Sequence, residues 1–282
     1  MIIEIKHSGE LGDIIYSIPT MLFLMRRQNA ERIRLYVTKN KLASRPPGLK
    51  HVGGRFMVSA AMFDYVKPLL EHQSCFDEIH FVEEDKIPAS AVDFDLIRTG
   101  GLNVAAGNIK DYYSKAFGSL SDGPARWIEP RLSRKKPDHD IVFGRSTRYL
   151  NNAIDYRIVD QLSLKVGFLG LEHEFFEFCL RNIGIKVEHI ATSSALDACD
   201  VIANAPLYIG NQSFFFAVAE ALQTSRFLEV FEPVPNVVPT GGKTGQFITT
   251  RGLATLLESF FNKSLILSND ASVFNRSFVL SA

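Results

Sequence analysis

The chain has 282 residues, of which 46% are hydrophobic and 22% are charged, and its 31 Lys and Arg residues balance its 31 Asp and Glu residues. This length favours two domains, and the neutral charge argues against nucleic-acid binding and against a general attraction to anionic lipid. No apolar run is long enough to cross a bilayer and no secretory leader opens the chain, so we expect a cytoplasmic protein without a transmembrane segment. The cysteines Cys75, Cys179 and Cys199 lack metal-ligand spacing and are expected to be buried free thiols.

A strand followed by a small polar turn opens the first half. Residues 1–5 are apolar and alternating, and Gly9, Gly12 and Asp13 follow them ahead of the helical run 20–27. A turn between a strand and a helix is the usual ligand-binding edge of an open α/β sheet. Glycine lets the backbone approach a ligand, and a carboxylate there can take a proton from a hydroxyl group. Asp13 could instead cap the helix, and this segment alone leaves both roles open.

Three more strands and one more helix are predicted in the first half from their apolar spacing. The predicted strands are 32–38, 78–82 and 94–98, the helix is 57–72, and the Pro- and Gly-containing segment 43–54 is a loop. A charged stretch, residues 131–140, then predicts a solvated linker between domains.

The second half is predicted to begin with a strand at 140–143 that ends in a basic turn. This turn carries two guanidinium groups and two hydroxyl groups, those of Arg145, Ser146, Thr147 and Arg148. Each planar guanidinium can donate two parallel hydrogen bonds to phosphate oxygens, so the turn suits a diphosphate. A surface turn with salt-bridged arginines is the alternative, and the segment alone does not decide between them.

Two further strand–turn–helix units follow in the second half. A short strand from Val166 ends at Gly170, ahead of a helix start that contains Glu172 and Glu174. First-turn acids of this kind also complement a helix dipole. The segment 205–213 then predicts a strand with a polar end formed by Gly210, Asn211, Gln212 and Ser213. The helix Phe214–Leu222 follows it, and the first amides of a helix can hold a phosphate.

The remaining elements predicted in the second half are two strands, 186–190 and 226–231, and two helices, 195–203 and 249–262. The tail 263–282 has no predicted structure. Each half therefore carries a polar turn between a strand and a helix, and two such turns can face each other across a cleft.

In this order of motifs the chain resembles the heptosyltransferase-like glycosyltransferases (glycosyltransferase family 9), which have the GT-B fold. Residues 11–13 with Pro19 following resemble the first motif of the family. Residues 146–148 resemble its turn near the donor diphosphate, residues 168–174 its turn near the nucleoside, and residues 209–222 its late strand–turn–helix motif.

The sequence departs from the family pattern at four places. Gln212 stands where an acid is common, Phe214 where glycine is common and Ala217 where histidine is common. The usual lysine after the basic turn is absent, and Arg145 could supply its charge instead. These departures bear on which donor is bound, while the anion site remains expected.

The resemblance implies an α/β protein of GT-B type with two Rossmann-like domains facing across a cleft. Residues 1–135 would form the N-terminal, acceptor-side domain, and residues 136–282 the C-terminal domain that binds the nucleotide sugar and includes the closing helix and tail. The implied activity is inverting transfer of a sugar, with a heptose favoured, from a nucleoside-diphosphate sugar to a hydroxyl of a glycan or another acceptor. Nothing in the sequence resembles a metal-binding Asp-x-Asp motif, and arginines and helix ends can stabilise the leaving group, so we expect the transfer to be metal-independent. An ADP-sugar is the favoured donor, and no cofactor is expected.

The resemblance also implies roles for individual residues. Asp13 would be the general base, and Glu172 would contact the ribose of the donor, with Glu174 as second choice. The other substrate-binding residues would be Gly9, Gly12, Arg145, Ser146, Thr147, Arg148, Gly210, Asn211, Gln212 and Ser213.

Two other functions stay open at this point. The departures at Gln212 and Ala217 would suit a GT-B-like nucleotide-binding protein without transferase activity. A Rossmann-type dehydrogenase or sugar-nucleotide epimerase is less favoured, because the first turn lacks the Gly-x-Gly-x-x-Gly pattern that holds a dinucleotide.

Overall fold

The computed structural model describes residues 1–43, 53–99, 103–119, 125–131 and 137–267. In the described part of the first half, four parallel strands form a sheet in the order β3-β2-β1-β4. The strands are β1 (Ile2–His7), β2 (Arg32–Thr38), β3 (Phe76–Val82) and β4 (Val92–Asp93). The helices are α1 (Leu11–Arg27), α2 (Ala60–His72), α3 (Leu96–Thr99) and α4 (Ile109–Phe117).

Helix α1 begins at Leu11, so Gly12 and Asp13 lie in its first turn rather than in a loop before residue 20. The Asp13 side chain accepts a hydrogen bond from the Glu10 N–H at 3.0 Å, which satisfies one amide at the helix start. Buried Ile14, Ile18 and Met21 form an apolar stripe at helical spacing. Burial of this stripe outweighs the hydrogen bond that Pro19 removes inside the helix.

The predicted strand 94–98 is wrong. Only Val92 and Asp93 pair with β1, and the chain then turns into the short helix α3. The turn is held by carboxylates, since Asp93 accepts from the Asp95 N–H at 2.9 Å and Asp95 accepts from the Ser8 N–H at 3.1 Å. Local side-chain hydrogen bonds of this kind compete with a sheet ladder, which explains the early end of β4.

In the described part of the second half, six parallel strands form a sheet in the order β10-β9-β8-β5-β6-β7. The strands are β5 (Ile141–Gly144), β6 (Val166–Leu169), β7 (Glu188–Ile190), β8 (Leu207–Asn211), β9 (Arg226–Glu229) and β10 (Thr244–Phe247). The helices are α5 (Glu172–Arg181), α6 (Ala195–Asn204), α7 (Phe214–Leu222) and α8 (Thr250–Phe261). Short 3₁₀ helices lie at Glu84–Lys86 and Tyr156–Leu162. The predicted elements of this half match those observed to within a few residues, whereas β10 and the 3₁₀ helix Tyr156–Leu162 were not predicted.

The two halves share one hydrophobic core. It combines buried residues of β1 and α1, such as Ile5 and Ile14, with Ala198 of α6 and Phe216 of α7. Trp127 adds to this contact, because its N–H donates to the Ala221 carbonyl and its indole Nε1–H donates to the Ile15 carbonyl. A core of this kind fixes the two sheets relative to each other.

The connection between the halves is bound to the second half where it is described. Arg131 donates to Asp197 and Asp200, each at 2.5 Å, so this end of the predicted solvated linker is anchored. The predicted boundary between residues 135 and 136 lies outside the described residues and stays a prediction, as does most of the predicted loop 43–54. Each sheet takes its strands from one half only.

Two further expectations concern the whole chain. The three cysteines carry free thiols, but only Cys199 is fully buried, while Cys75 and Cys179 are partly exposed. Within the described ranges, no helix combines the length and the apolar character that crossing a bilayer requires.

Candidate functional site

Both sheets have a point at which the strand order reverses. In the first sheet β1 lies between β2 and β4, and in the second β5 lies between β8 and β6. The loops that leave neighbouring strands at such a point diverge and open a crevice at the carboxyl edge, where ligands bind in open α/β sheets. The polar turns after β1, β4, β5 and β8 are therefore the natural walls of a site.

These turns line one cleft of about 570 Å³ between the two halves. Polar residues of the first half that line it are Glu10, Asp13, Tyr16, Ser59, Tyr65 and Arg98. Polar residues of the second half that line it are Ser146, Thr147, Arg148, Tyr149, Glu174, Thr192, Gln212, Ser213 and Asn236. Apolar residues, among them Met57, Met62 and Phe214, form much of the remaining wall. Of the predicted site residues, Gly12, Asp13, Ser146, Thr147, Arg148, Gln212 and Ser213 are brought together here.

Asp13 lies at the start of α1 with 15% of its side chain exposed in the cleft. Its Oδ2 accepts from the Glu10 N–H and from the guanidinium of Arg98. Its Oδ1 accepts no hydrogen bond from the described residues, and it is thus available to a ligand. Burial raises the pKa of Asp13 above its ordinary value, and the positive charge of Arg98 opposes that rise. A carboxylate with this environment is suited to accept a proton.

Gly9 does not line the cleft, but it is required for the packing of Asp13. A Cβ at this position would lie 2.7 Å from Cε1 of His7 and 2.8 Å from Oδ2 of Asp13. The Gly9 N–H donates to His7 Nδ1 at 3.0 Å, so the ring proton is on Nε2, which donates to the hydroxyl of Tyr113 at 2.9 Å. Burial lowers the pKa of His7 to about 3, and the ring is therefore neutral.

Arg98 is a cleft residue that the sequence analysis did not select. It stands on α3, directly after the turn that ends β4, and 29% of its side chain is exposed. Its position could have revealed it. Asp13 and Arg148 were selected because they are polar residues that follow a predicted strand, and Arg98 likewise follows a short strand of the first sheet. The prediction of a strand through residue 98 hid this position.

Asn211 and Gly210 support the basic turn rather than line the cleft. The buried Asn211 carboxamide accepts from the Ser146 N–H at 3.0 Å and donates to the carbonyls of Ser146 and Tyr149 at 2.8 and 2.9 Å. A Cβ at Gly210 would lie 2.5 Å from the Gly144 carbonyl oxygen, so β8 and β5 can approach only with glycine there. These contacts hold the loop that presents residues 146–148.

Arg148 reaches across the cleft to the first half. It forms an ion pair with Glu10, and its guanidinium carbon lies 4.7 Å from the ring centre of Tyr149. Its Nε is buried and has no hydrogen-bond partner among the described residues. The guanidinium therefore has a donor to spare and a carboxylate partner that a bound anion would have to replace.

Arg145 is not part of the cleft, and the expectation of two arginines in one anion pocket is not met. Its Nε and Nη2 donate to the two carboxylate oxygens of Glu229 at 2.6 and 2.9 Å. Glu229 is fully buried and also accepts from the hydroxyl of Tyr156 at 2.6 Å. The guanidinium of Arg145 thus neutralises an interior acid in the core of the second half.

The structure brings Glu174 rather than Glu172 to the cleft. Glu172 is the exposed first residue of α5. Glu174 is buried, lines the cleft and accepts from the Leu171 N–H at 3.0 Å. Burial raises the pKa of the Glu174 carboxyl. The second choice made from the sequence is the better placed of the two acids.

The late motif places the start of α7 at the cleft. Ser213 is the N-cap residue of α7, and its hydroxyl accepts from the Phe216 N–H at 3.4 Å. Gln212 is used internally, because its amide donates to the Val234 carbonyl at 2.6 Å and accepts from the Phe231 N–H at 2.8 Å. The other N–H groups at the start of α7 lack helical partners and favour an anion.

Across the described ranges, no group of three or more His, Cys, Asp or Glu side chains is arranged to hold a metal ion. The cleft groups able to stabilise negative charge are the two arginines, Arg98 and Arg148, and the start of α7.

Solved glycosyltransferases share this architecture. The glycosyltransferase family 9 protein from Veillonella parvula DSM 2008 superposes with a TM-score of 0.58 over 95% of this chain and 91% of its own, at 10% identity. The E. coli heptosyltransferase WaaC, solved with ADP, gives 0.58 over 94% of this chain and 99% of its own, at 11% identity. The E. coli ADP-heptose lps heptosyltransferase II gives 0.57 over 93% and 99%, at 15% identity.

The chain has the GT-B fold. The predicted fold class, two Rossmann-like domains facing across a cleft, is therefore confirmed, and the resemblance seen in the sequence is confirmed at the level of the fold. The sequence by itself matches no protein-family model and no curated protein. The similarity to the heptosyltransferases is thus carried by three-dimensional structure and by short motifs.

Proposed function

We propose that this protein is an inverting glycosyltransferase that moves a sugar from a nucleoside-diphosphate sugar to an acceptor hydroxyl without a metal ion. The observation that carries the proposal is the composition of the cleft. The Asp13 carboxylate, with one oxygen unoccupied by the described residues, lines the same cleft as Arg148 and the start of α7. A base and an anion site on opposite walls are what such a transfer needs.

The chemistry follows from these groups. Asp13 takes the proton of the acceptor hydroxyl while the acceptor oxygen forms a bond to the anomeric carbon. The bond from that carbon to the diphosphate oxygen breaks, and its electron pair leaves with the nucleoside diphosphate. Arg148 and the amides at the start of α7 stabilise the charge that develops on this leaving group. Attack on the face opposite the leaving group inverts the anomeric centre.

An ADP-sugar, with a heptose first among the sugars to be tested, is the proposed donor. WaaC was solved with ADP, and heptosyltransferase II is named for ADP-heptose. Glu174 is the proposed contact of the ribose hydroxyls, because it is the acid of the predicted pair that lines the cleft. The acceptor side is assigned to the first half, whose cleft wall includes Met57, Met62 and Tyr65.

The direct test is release of nucleoside diphosphate from ADP-, GDP- and UDP-sugars by the purified protein, with and without a panel of hydroxyl acceptors. We expect release that depends on acceptor, is greatest with an ADP-sugar and persists with a chelator present. Binding of a diphosphate without turnover of any donor would instead favour the non-catalytic nucleotide-binding protein. Tight binding of NAD would favour a dehydrogenase or epimerase.

Affinity for diphosphates tests the anion site separately. Arg148→Ala should weaken ADP binding by roughly 1.5–3 kcal/mol, the scale of a hydrogen bond to a charged group. Glu10→Gln should strengthen binding, because it removes the carboxylate that competes for Arg148. Both effects should shrink as salt screens the charges. Calorimetry measures them.

Arg157→Ala is the matched control for this titration, since Arg157 forms an exposed ion pair with Asp155 outside the cleft. It should leave ADP affinity unchanged. Equal affinity of the Arg148→Ala, Glu10→Gln and unmodified proteins for every diphosphate would contradict the assignment of Arg148.

A further inference from the structure

We infer that Arg98 is a positioning residue for the proposed base, holding one oxygen of Asp13 so that the other faces the acceptor hydroxyl. The inference rests on the proposed function and goes beyond it by adding a residue from a different loop. Asp13 follows β1 and Arg98 follows β4, and these two strands are neighbours in the first sheet. The reversal of strand order therefore brings the two residues together.

The hydrogen bonds of Asp13 divide its two oxygens. Oδ2 accepts both the Glu10 N–H and a guanidinium N–H of Arg98. Oδ1 accepts none from the described residues, and both side chains line the cleft. Two donors on one oxygen fix the plane of the carboxylate, which leaves a single oxygen for proton transfer. Proton transfer from a substrate hydroxyl requires this kind of fixed geometry.

Further titratable groups of the first half lie beside Arg98. The carboxylate of Asp95 and the phenol of Tyr113 lie near its guanidinium, with 4.0 Å between Nη1 and Oδ1 of Asp95, but Nη1 is buried and donates no hydrogen bond to the described residues. The Tyr113 oxygen also accepts from Nε2 of His7 at 2.9 Å, which is oriented by the Gly9 N–H. These groups place Arg98 between Asp13, Asp95 and Tyr113, with its Nη2 donating to Asp13.

The charges around Asp13 set the sign of the expected pH effect. Titratable and charged groups face Asp13 from several elements. They are Glu10 at the N-cap of α1, Tyr16 on α1, Arg98 on α3, Tyr113 on α4, His7 on β1 and Arg148 from the second half. Burial and Glu10 raise the pKa of Asp13, whereas Arg98 and Arg148 lower it. Without Arg98 the pKa of Asp13 should therefore rise further.

The test is the pH dependence of kcat in Arg98→Met. Because the base works only when ionised, a higher pKa of Asp13 means that activity falls already at a higher pH as the solution is acidified. We expect the acidic limb of the kcat profile to move upward by about one to three pH units, the range by which a neighbouring arginine lowers a carboxylate pKa. Arg98→Lys should move it less, because the charge is kept and the planar fork is lost.

A second readout does not depend on activity. With ¹³C-labelled aspartate, the Asp13 carboxyl signal is identified by its loss in Asp13→Asn, and its titration is compared between the unmodified protein, Arg98→Met and Arg98→Lys. Arg157→Met serves as the control for removing an arginine outside the cleft, and thermal unfolding checks that each variant folds. If Arg98→Met does not fold, Arg98→Lys carries the comparison.

The outcomes separate the inference from the proposed function. A raised pKa of Asp13 in the Arg98 variants supports the positioning role. If this pKa is raised but the protein turns over no donor, the contact between Arg98 and Asp13 is supported and the proposed function fails. An unchanged Asp13 titration together with an unshifted kcat profile would overturn the inference. Loss of ADP affinity with an unshifted profile would also overturn it, and would assign Arg98 to the donor diphosphate.

Discussion

Replacing Asp13 by asparagine should lower the rate of sugar transfer by about two to four orders of magnitude, the usual contribution of a general base. Asparagine has nearly the same size, and its oxygen can still accept the Glu10 N–H that Asp13 caps at 3.0 Å. It cannot take a proton from an acceptor hydroxyl. We therefore expect kcat to fall while donor affinity stays close to that of the unmodified protein.

Steady-state kinetics with the best donor and acceptor, together with calorimetry for ADP, measure this prediction. Asp155→Asn is the matched control, because Asp155 is an aspartate paired with Arg157 outside the cleft. It should leave kcat unchanged. Near-normal turnover of a folded Asp13→Asn variant would return Asp13 to the role of a helix cap and would remove the base from the proposed mechanism.

Replacing Arg145 by methionine should lower the free energy of unfolding by about 3–5 kcal/mol, the cost of removing one partner from a buried ion pair. Glu229 is fully buried and would keep its contacts with Tyr156 and the Asn151 N–H, but would lose its counter-charge. The double variant Arg145→Met with Glu229→Gln should recover part of the loss, because no uncompensated charge remains.

Urea unfolding of the single and double variants measures this effect, and ADP calorimetry on the folded protein accompanies it. The affinity of Arg145→Met for ADP should be close to normal, since Arg145 does not line the cleft. Unchanged stability with a large loss of ADP affinity would restore Arg145 to the anion pocket that the sequence analysis expected.

Local sequence patterns predicted much of the scaffold. The strand Arg32–Thr38 and the helix Phe214–Leu222 are observed with the predicted bounds, because apolar spacing and flanking polar residues determine both within a short window. The residues Asp13, Arg148 and Ser213 were also found locally, since each lies within a few residues of the end of a strand. Parallel strands of one sheet end at a common edge, so polar residues that follow them are expected at that edge.

The local pattern was insufficient where a partner lies far along the chain. Arg145 and Arg148 stand three positions apart in one turn and look equivalent in the sequence. Glu229 pairs with Arg145, because the strand order β9-β8-β5 brings the end of β9 close to the turn after β5. Glu10 pairs with Arg148, because the two halves contact each other there. Burial beside Glu229 and Tyr156 made Arg145 a structural residue.

The sequence by itself determined the α/β class and the positions of the two polar turns, because these depend on residues close together in the chain, while the role of Asp13 as base came from the family resemblance and stays a prediction. Only the tertiary structure decided that Arg98 meets Asp13, that Glu174 rather than Glu172 lines the cleft, and that Asn211 holds the basic turn. The physical reason is that strand order, side-chain burial and the packing of α1 on α7 are properties of the assembled sheets. They choose among polar residues that local spacing cannot distinguish.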